Sequence, residues 1–391
     1  RIPRSWSAKL HEYTRLSQPA NMTAMTSPPT VTLGTSGAAS SISSAVTVSV
    51  FNGTPGAGTV NTHGRFTMLG APLAYRLVSG VACIAPWTIS GQLGVSSVSG
   101  WHYGTQMEWV FMGNGTGFYR LWVDDQPVTA NMQSGPGGTA ARHHLLVNFG
   151  SSALRRVRIE LDNQALESVK IGPTDSWQRD DSPTGPKVLL IGDSFSIGVG
   201  ATVASAGHSY AHVLAQLMGW RDLLVAGAGG TGFTAAGAWG TYATRLASSL
   251  PYISGAPDVV LLQGSTNDNG ATAGTVTAAA TSLVSAVRAA YPSAYVAVLG
   301  LLYDTARSGA ALTNHNEVMA VSGADLVINT VGGVEGAWWS GTGRVGSTTG
   351  SGNGDIFMSS DAIHPTTEGH RYLASRLAAR LRAAWTSLPI H

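Results

Sequence analysis

The 391-residue chain contains a single cysteine, Cys83, so no intramolecular disulfide can hold it together. Charge is almost as scarce. Asp, Glu, Lys and Arg make up 11% of the residues, against roughly 25% in ordinary soluble domains. None of them occurs between Leu16 and Thr62. The 23 basic and 21 acidic residues leave a net charge of +2, with no basic stripe to neutralise phosphates, so no nucleic acid is expected as a partner. Lysine is limited to Lys9, Lys170 and Lys187. No apolar run approaches the ~18–20 residues that cross a bilayer, so no transmembrane segment is expected. What remains is small and apolar. Hydrophobic residues reach 43% and glycines number 49, which excludes a disordered chain. At ~100–200 residues per domain, the length predicts two domains.

The texture changes along the chain. Residues 1–30 show neither helical nor alternating periodicity and carry Ser27-Pro28-Pro29, which predicts an irregular arm. Residues 31–172 hold many short alternating segments, among them Ser44–Phe51, Leu73–Val78, Gln106–Met112, Phe118–Val123, His144–Phe149 and Val157–Leu161. This predicts a jelly-roll-like β-sandwich, with one sheet carrying irregular insertions as the alternative. Residues 173–186 contain three prolines and read as a linker. From 187 to 391, continuous apolar runs such as Lys187–Ile191, Asp258–Gln263 and Tyr295–Leu299 alternate with Ala-rich helical stretches. That pattern predicts an α/β domain, a parallel sheet with helices on both faces.

Three segments follow predicted strands or precede the last helix, where an open parallel sheet binds its ligands. Gly192-Asp193-Ser194 ends the first strand of the α/β half and offers a hydroxyl nucleophile; a helix N-cap is the ordinary alternative. Asp361-Ala362-Ile363-His364-Pro365 precedes the final helix and offers a base with a carboxylate to orient it. Asn267, in Gly264-Ser265-Thr266-Asn267-Asp268, offers an amide to an oxyanion; otherwise it is a polar turn.

Other segments mimic chemistry they cannot perform. Gly227-Ala228-Gly229-Gly230-Thr231-Gly232 matches a dinucleotide fingerprint, but no Asp or Glu lies between Asp222 and Asp258 to hold a ribose. A loop giving a backbone N–H to an oxyanion fits better. Gly207-His208-Ser209-Tyr210-Ala211 resembles a nucleophile elbow but no strand precedes it, so Ser209 is expected to cap a helix. His208 and His212 lack the intervening glutamate of a zinc helix.

Together these segments resemble the four sequence blocks of the SGNH (GDSL-type) hydrolases over residues 187–391. The resemblance implies a flavodoxin-like sheet, an open active site, and no metal or cofactor. It implies Ser194 as nucleophile, His364 as base and Asp361 as its orienting carboxylate. The oxyanion would be held by the N–H groups of Ser194 and Gly232 and the amide of Asn267. Two places depart from the family: Gly227 stands where an asparagine usually opens the Gly-rich block, and Ser265 stands where a glycine usually lies two residues before the asparagine.

A sandwich ahead of such a domain is similar to two-domain carbohydrate deacetylases and to tail proteins of phages infecting actinobacteria. The expected function is a serine esterase removing short acyl groups, acetyl first, from a glycan or cell-envelope substrate, in a secreted or virion-associated protein. The alternatives are a lipase or thioesterase for longer acyl chains, or a phage tail or surface protein using the fold for binding. Trp87, Trp101, Tyr103, Trp109, Tyr119 and Trp122 are candidates to stack on sugars, with core packing the favoured role for most. Asp193, Trp338 and Trp339 are candidate substrate contacts, the two tryptophans lying in a long Gly-rich loop from Val331 to Ser360.

Overall fold

The computed structural model describes residues 24–50, 59–60, 64–86, 94–113, 117–137, 141–201, 205–249, 255–302, 309–332, 336–346 and 350–386. Most of the expected arm, together with Trp87, lies outside them. The chain divides into two compact units.

Among the described residues, the first unit is antiparallel β, thirteen strands joined in one hydrogen-bonded network. Its frame is a pair of long strands, Ser96–Met112 and Arg142–Asp162. They pair from Arg142 opposite Met112 to Leu161 opposite Ser96, with a register shift between Asn148 and Ala153. The expected segments Gln106–Met112, His144–Phe149 and Val157–Leu161 are therefore parts of two strands. Gly150 adopts φ 75°, and the turn-like residues around it form a bulge that bends a strand without ending it. The inward residues Trp109, Phe111, Leu145, Val147, Ile159 and Val169 build the core. Trp109, Tyr119 and Trp122 are buried there, Trp101 is half-buried, and Tyr103 is exposed.

The expected linker is partly structured. Ser176–Arg179 is a strand paired with Gly100–Tyr103, and its Trp177 packs against Phe66 and Trp109 at 5.1 and 5.9 Å. A side chain on Gly100 would overlap that indole. One buried tryptophan anchors this strand.

The second unit is α/β. Five strands, β1 (Lys187–Gly192), β2 (Asp222–Gly227), β3 (Val259–Gly264), β4 (Tyr295–Leu301) and β5 (Leu326–Ile328), form a sheet in the order β2-β1-β3-β4-β5. All pair in parallel, the flavodoxin-like order. The helices are α1 (Tyr210–Met218), α2 (Tyr242–Ser249), α3 (Thr275–Ala290), α4 (Gly309–Met319), α5 (Gly354–Phe357) and α6 (Thr367–Thr386). Leu189, Ile191, Val260, Leu262, Val296 and Val298 face Leu246, Leu283, Val287 and Val318 of α2, α3 and α4. On the opposite face α6 packs on α1 and buries Leu373, Leu377, Leu381 and Trp385, with Trp385 edge-on to Tyr295 of β4. Both faces are covered, which is why the strands read as unbroken apolar runs. Ser209 caps α1, accepting from the His212 N–H, and is no nucleophile.

Candidate active site

The sheet order places the first crossover on one side of β1 and the second on the other, leaving a crevice beyond the carboxyl ends of the strands. Ser194 lies two residues past β1, and Val199 N–H donates to its carbonyl at 3.1 Å. Gly192 is required there, because a Cβ would come within 2.7 Å of Gln263 Oε1 and 2.8 Å of Ser196 Cβ.

His364 reaches Ser194 from the turn before α6. Its Nε2 is 2.8 Å from Ser194 Oγ, and its Nδ1 is 2.6 Å from Asp361 Oδ2. A carboxylate beside Nδ1 keeps the proton there, leaving Nε2 bare to accept from the Ser194 hydroxyl. Asp361 Oδ1 accepts from Ser359 Oγ at 2.6 Å and from the N–H groups of Ile363 and His364 at 2.9 Å. Burial opposes ionisation, but these donors from Ser359, His364 and Ile363 outweigh it and hold the carboxyl well below the usual carboxylate range. Ala362, at φ 61°, is the left-handed residue that folds the turn back. Strain of this kind costs about 1 kcal/mol or more and persists where surrounding contacts fix it.

The Gly-rich loop after β2 is oriented differently from the expectation for Gly232. That residue is buried, its N–H donates to the Ala235 carbonyl at 2.8 Å, and a Cβ on it would overlap the Asp268 carboxylate. Gly229 is exposed instead, and a Cβ there would lie 3.8 Å from Ser194 Cβ. Among the described residues its N–H has no partner, so Gly229, and not Gly232, is the glycine that faces Ser194. The loop is held by Asp268, which accepts from the N–H groups of Phe233, Thr234 and Ala235 at 2.8, 2.9 and 2.8 Å and from Thr234 Oγ1 at 2.7 Å.

Asn267 lies beyond β3, its Nδ2 3.0 Å from both the Thr231 carbonyl and Ser265 Oγ. The expected substrate contacts are corrected. Asp193 is fully buried, taking Phe195 N–H and Gln263 Nε2 on Oδ1 at 3.0 and 2.6 Å. Burial pushes its pKa up against the opposing donors of Ser265, Phe195 and Gln263. Trp338 and Trp339 are 2% and 3% exposed. The Trp339 indole donates to the Leu302 carbonyl at 2.6 Å and packs against Tyr372 and Phe357. These rings fill the core because burying a large aromatic gains more than leaving it on a loop.

A further residue supports the Ser194–Val199 turn from behind. His370 on α6 is fully buried, its Nδ1 accepts the Tyr210 N–H at 3.2 Å, and its Nε2 lies 3.0 Å from the Val199 carbonyl. Burial lowers its pKa to about 4, so the ring is neutral and Nε2–H donates to Val199. Its only sequence signal is a histidine on the apolar stripe of α6.

Residues 190–372 match the GDSL-like lipase/acylhydrolase family. The matched region spans Ser194, the Gly-rich loop, Asn267 and the Asp361–His364 turn. No curated protein sequence matches the chain. Among solved structures, a family two carbohydrate esterase from Clostridium thermocellum in complex with cellohexaose is similar at 19% identity and TM-score 0.56, over 76% of this chain and 95% of that one. The acetyl xylan esterase Est2A from the rumen bacterium Butyrivibrio proteoclasticus is similar at 13% and 0.57, over 87% and 98%. The salicylyl-acyltransferase SsfX3 from a tetracycline biosynthetic pathway is similar at 16% and 0.59, over 89% and 99%. At these identities the likeness is one of fold. No described helix is long and apolar enough to cross a membrane.

Proposed function

We propose that the chain is a serine esterase that removes short acyl groups, acetyl first, from a carbohydrate. The observation that carries this reading is the hydrogen-bonded line from Asp361 through His364 to Ser194. His364 Nε2 takes the Ser194 proton as Oγ bonds to the ester carbonyl carbon. The carbonyl oxygen becomes an oxyanion facing the N–H groups of Ser194 and Gly229, with the Asn267 amide as third donor. The tetrahedral centre collapses, the C–O bond to the alcohol breaks, and the His364 proton leaves with that alcohol. Water, deprotonated by the same imidazole, then releases the acid and restores Ser194.

The carbohydrate is suggested by the cellohexaose-bound and acetyl xylan esterases that share the fold. We read the β unit as an accessory, jelly-roll-like module, and the exposed Tyr103 supports a glycan-contacting face. The likeness to an acyltransferase favours one second reading, in which an alcohol rather than water accepts the acyl group.

The test is hydrolysis of p-nitrophenyl esters from acetate to palmitate, and of acetylated xylo-oligosaccharides, by the wild type, Ser194→Ala and His364→Ala. Short-chain activity that falls about 10⁴-fold or more in either variant is expected. Undiminished turnover in Ser194→Ala would sink the assignment. Adding an alcohol separates the two readings, since a transferase yields a new ester.

A further inference from the structure

Directly before the nucleophile stands a carboxyl group with no charged partner of its own. Asp193 is 0% exposed, and among the described residues no cation forms an ion pair with it. Its Oδ2 lies 2.7 Å from Ser265 Oγ. Ser265, also 0% exposed, has around it the Thr231 carbonyl oxygen at 2.8 Å, Asn267 N at 3.1 Å, Asn267 Nδ2 at 3.0 Å and the Tyr242 hydroxyl.

The protons can be counted. The two nitrogens bring their own hydrogens. Asp193 Oδ2 and the Thr231 oxygen do not, and each short O···O contact needs a proton between its atoms. Ser265 has one hydroxyl proton and the Thr231 carbonyl has none, so that proton belongs on the contact to Thr231. The proton on the other contact must then come from Asp193. An ionised Asp193 would instead draw the Ser265 proton to itself. The Ser265 and Thr231 oxygens would then meet lone pair to lone pair at 2.8 Å, where Thr231 is 0% exposed and water cannot intervene.

We propose that Asp193 is a neutral carboxylic acid at working pH, donating Oδ2–H to Ser265, which in turn donates to the carbonyl of Thr231. The surroundings agree. Burial raises the pKa of Asp193, and the neighbouring Tyr210 and Tyr242 are pushed up by burial as well. Arg245 turns its guanidinium to the carbonyls of Ala226 and Gly227, at 3.1 and 3.0 Å. His364 stands on the far side of Ser194, engaged with Asp361. Gln263 gives Oδ1 a neutral amide hydrogen, and its own Oε1 accepts from Tyr210.

This chain ties the residue before the nucleophile to the Gly-rich loop and to Asn267. Asn267 Nδ2 lies 3.0 Å from both the Thr231 carbonyl and Ser265 Oγ, so the same hydroxyl and carbonyl fix the amide that is offered to the oxyanion. That consequence, unlike the proton assignment, rests on the esterase reading. Asp193 and Ser265 are positioning residues, and the hydroxyl exists because this chain has serine where the SGNH resemblance places glycine.

The assignment is read without substrate, from the ¹³C carboxyl resonances of the aspartate-labelled protein between pH 5 and 8. A resonance that stays at the position of a protonated acid and is absent in Asp193→Asn supports it. Carboxylate signals alone overturn it, whatever the variant does. Turnover supplies the second measurement. Asp193→Ala is expected to lower kcat about 100-fold with KM little changed, on the scale of losing one oxyanion donor. Asp193→Asn, with N–H in place of O–H, is expected to recover at least tenfold of that loss. An Asn variant as inactive as the Ala variant would overturn the proposal. A wild type without esterase activity would sink the esterase reading and leave the carboxyl resonance to decide the proton.

Discussion

Asp361 holds His364 at two points, accepting the backbone N–H on Oδ1 at 2.9 Å and lying 2.6 Å from ring Nδ1 through Oδ2. One carboxylate therefore fixes both the position of the residue and the tautomer of its ring. In Asp361→Asn the oxygen can still take the backbone N–H, but the amide presents hydrogens to Nδ1. The ring must then carry its proton on Nε2, where it cannot accept from Ser194. Folding should survive while kcat for p-nitrophenyl acetate falls about 10⁴-fold, the cost of the wrong tautomer. A small change in kcat would mean that the carboxylate does not set the tautomer.

Gly229 and Gly232 should respond in opposite ways. Alanine at 229 meets Ser194 Cβ at an ordinary 3.8 Å, so the protein should fold with its backbone N–H intact. Proline at 229 removes that N–H, and a further 10²–10³-fold loss of kcat relative to alanine is expected. Alanine at 232 collides with the Asp268 carboxylate, so its effect should appear as a lowered melting temperature. Thermal unfolding and kinetics on the same three variants decide between these assignments.

His370 makes the fold acid-labile in a defined window. Its folded pKa is about 4, against 6.5 for the free side chain. Between these values the unfolded chain binds a proton that the native chain does not. Stability is therefore fully present above about pH 6.5 and is lost as pH falls towards 4, by about 3 kcal/mol in all. Asp361, with a depressed pKa, is lost only below the ordinary carboxylate range, a separate and more acidic step. His370→Gln, which keeps a donor for Val199 but does not titrate, should flatten the melting temperature between pH 6.5 and 4.

Trp339→Ala distinguishes a core residue from a substrate subsite. Removing this buried indole should cost about 3–5 kcal/mol of stability, seen as a clear drop in melting temperature. A subsite residue would instead raise KM at constant stability.

The hydrogen-bonded line of Ser194, His364 and Asp361 was legible because its residues sit in short, ordered motifs on either side of an alternating strand–helix pattern. Ser194 after a strand and Asp361-x-x-His364 before a helix define positions that only the carboxyl end of a parallel sheet can bring together. The choice between Gly229 and Gly232 was not legible. Which N–H in a run of glycines stays unpaired depends on how Asp268, distant in sequence, pins the next three residues. The strand Ser176–Arg179 was hidden for a similar reason: four residues with a single inward Trp177 have no periodicity, and prolines surround them. Trp338 and Trp339 looked available because glycines flank them, yet Tyr372 and Phe357 enclose Trp339.

The long antiparallel pairing of the β unit also sets an order of events during synthesis. Leu33 pairs with Leu145, and Gly100 with both Val157 and Arg179. The strand Thr30–Leu33 thus waits, edge exposed, until most of the unit has followed. Closing such loops comes before any reward from the contacts they make. In the α/β unit, by contrast, each new strand lands beside one already made, as Asp222 does beside Lys187. Nascent-chain vulnerability is therefore concentrated in the β unit, and a pause in translation before residue 179 would leave its edges open to other chains.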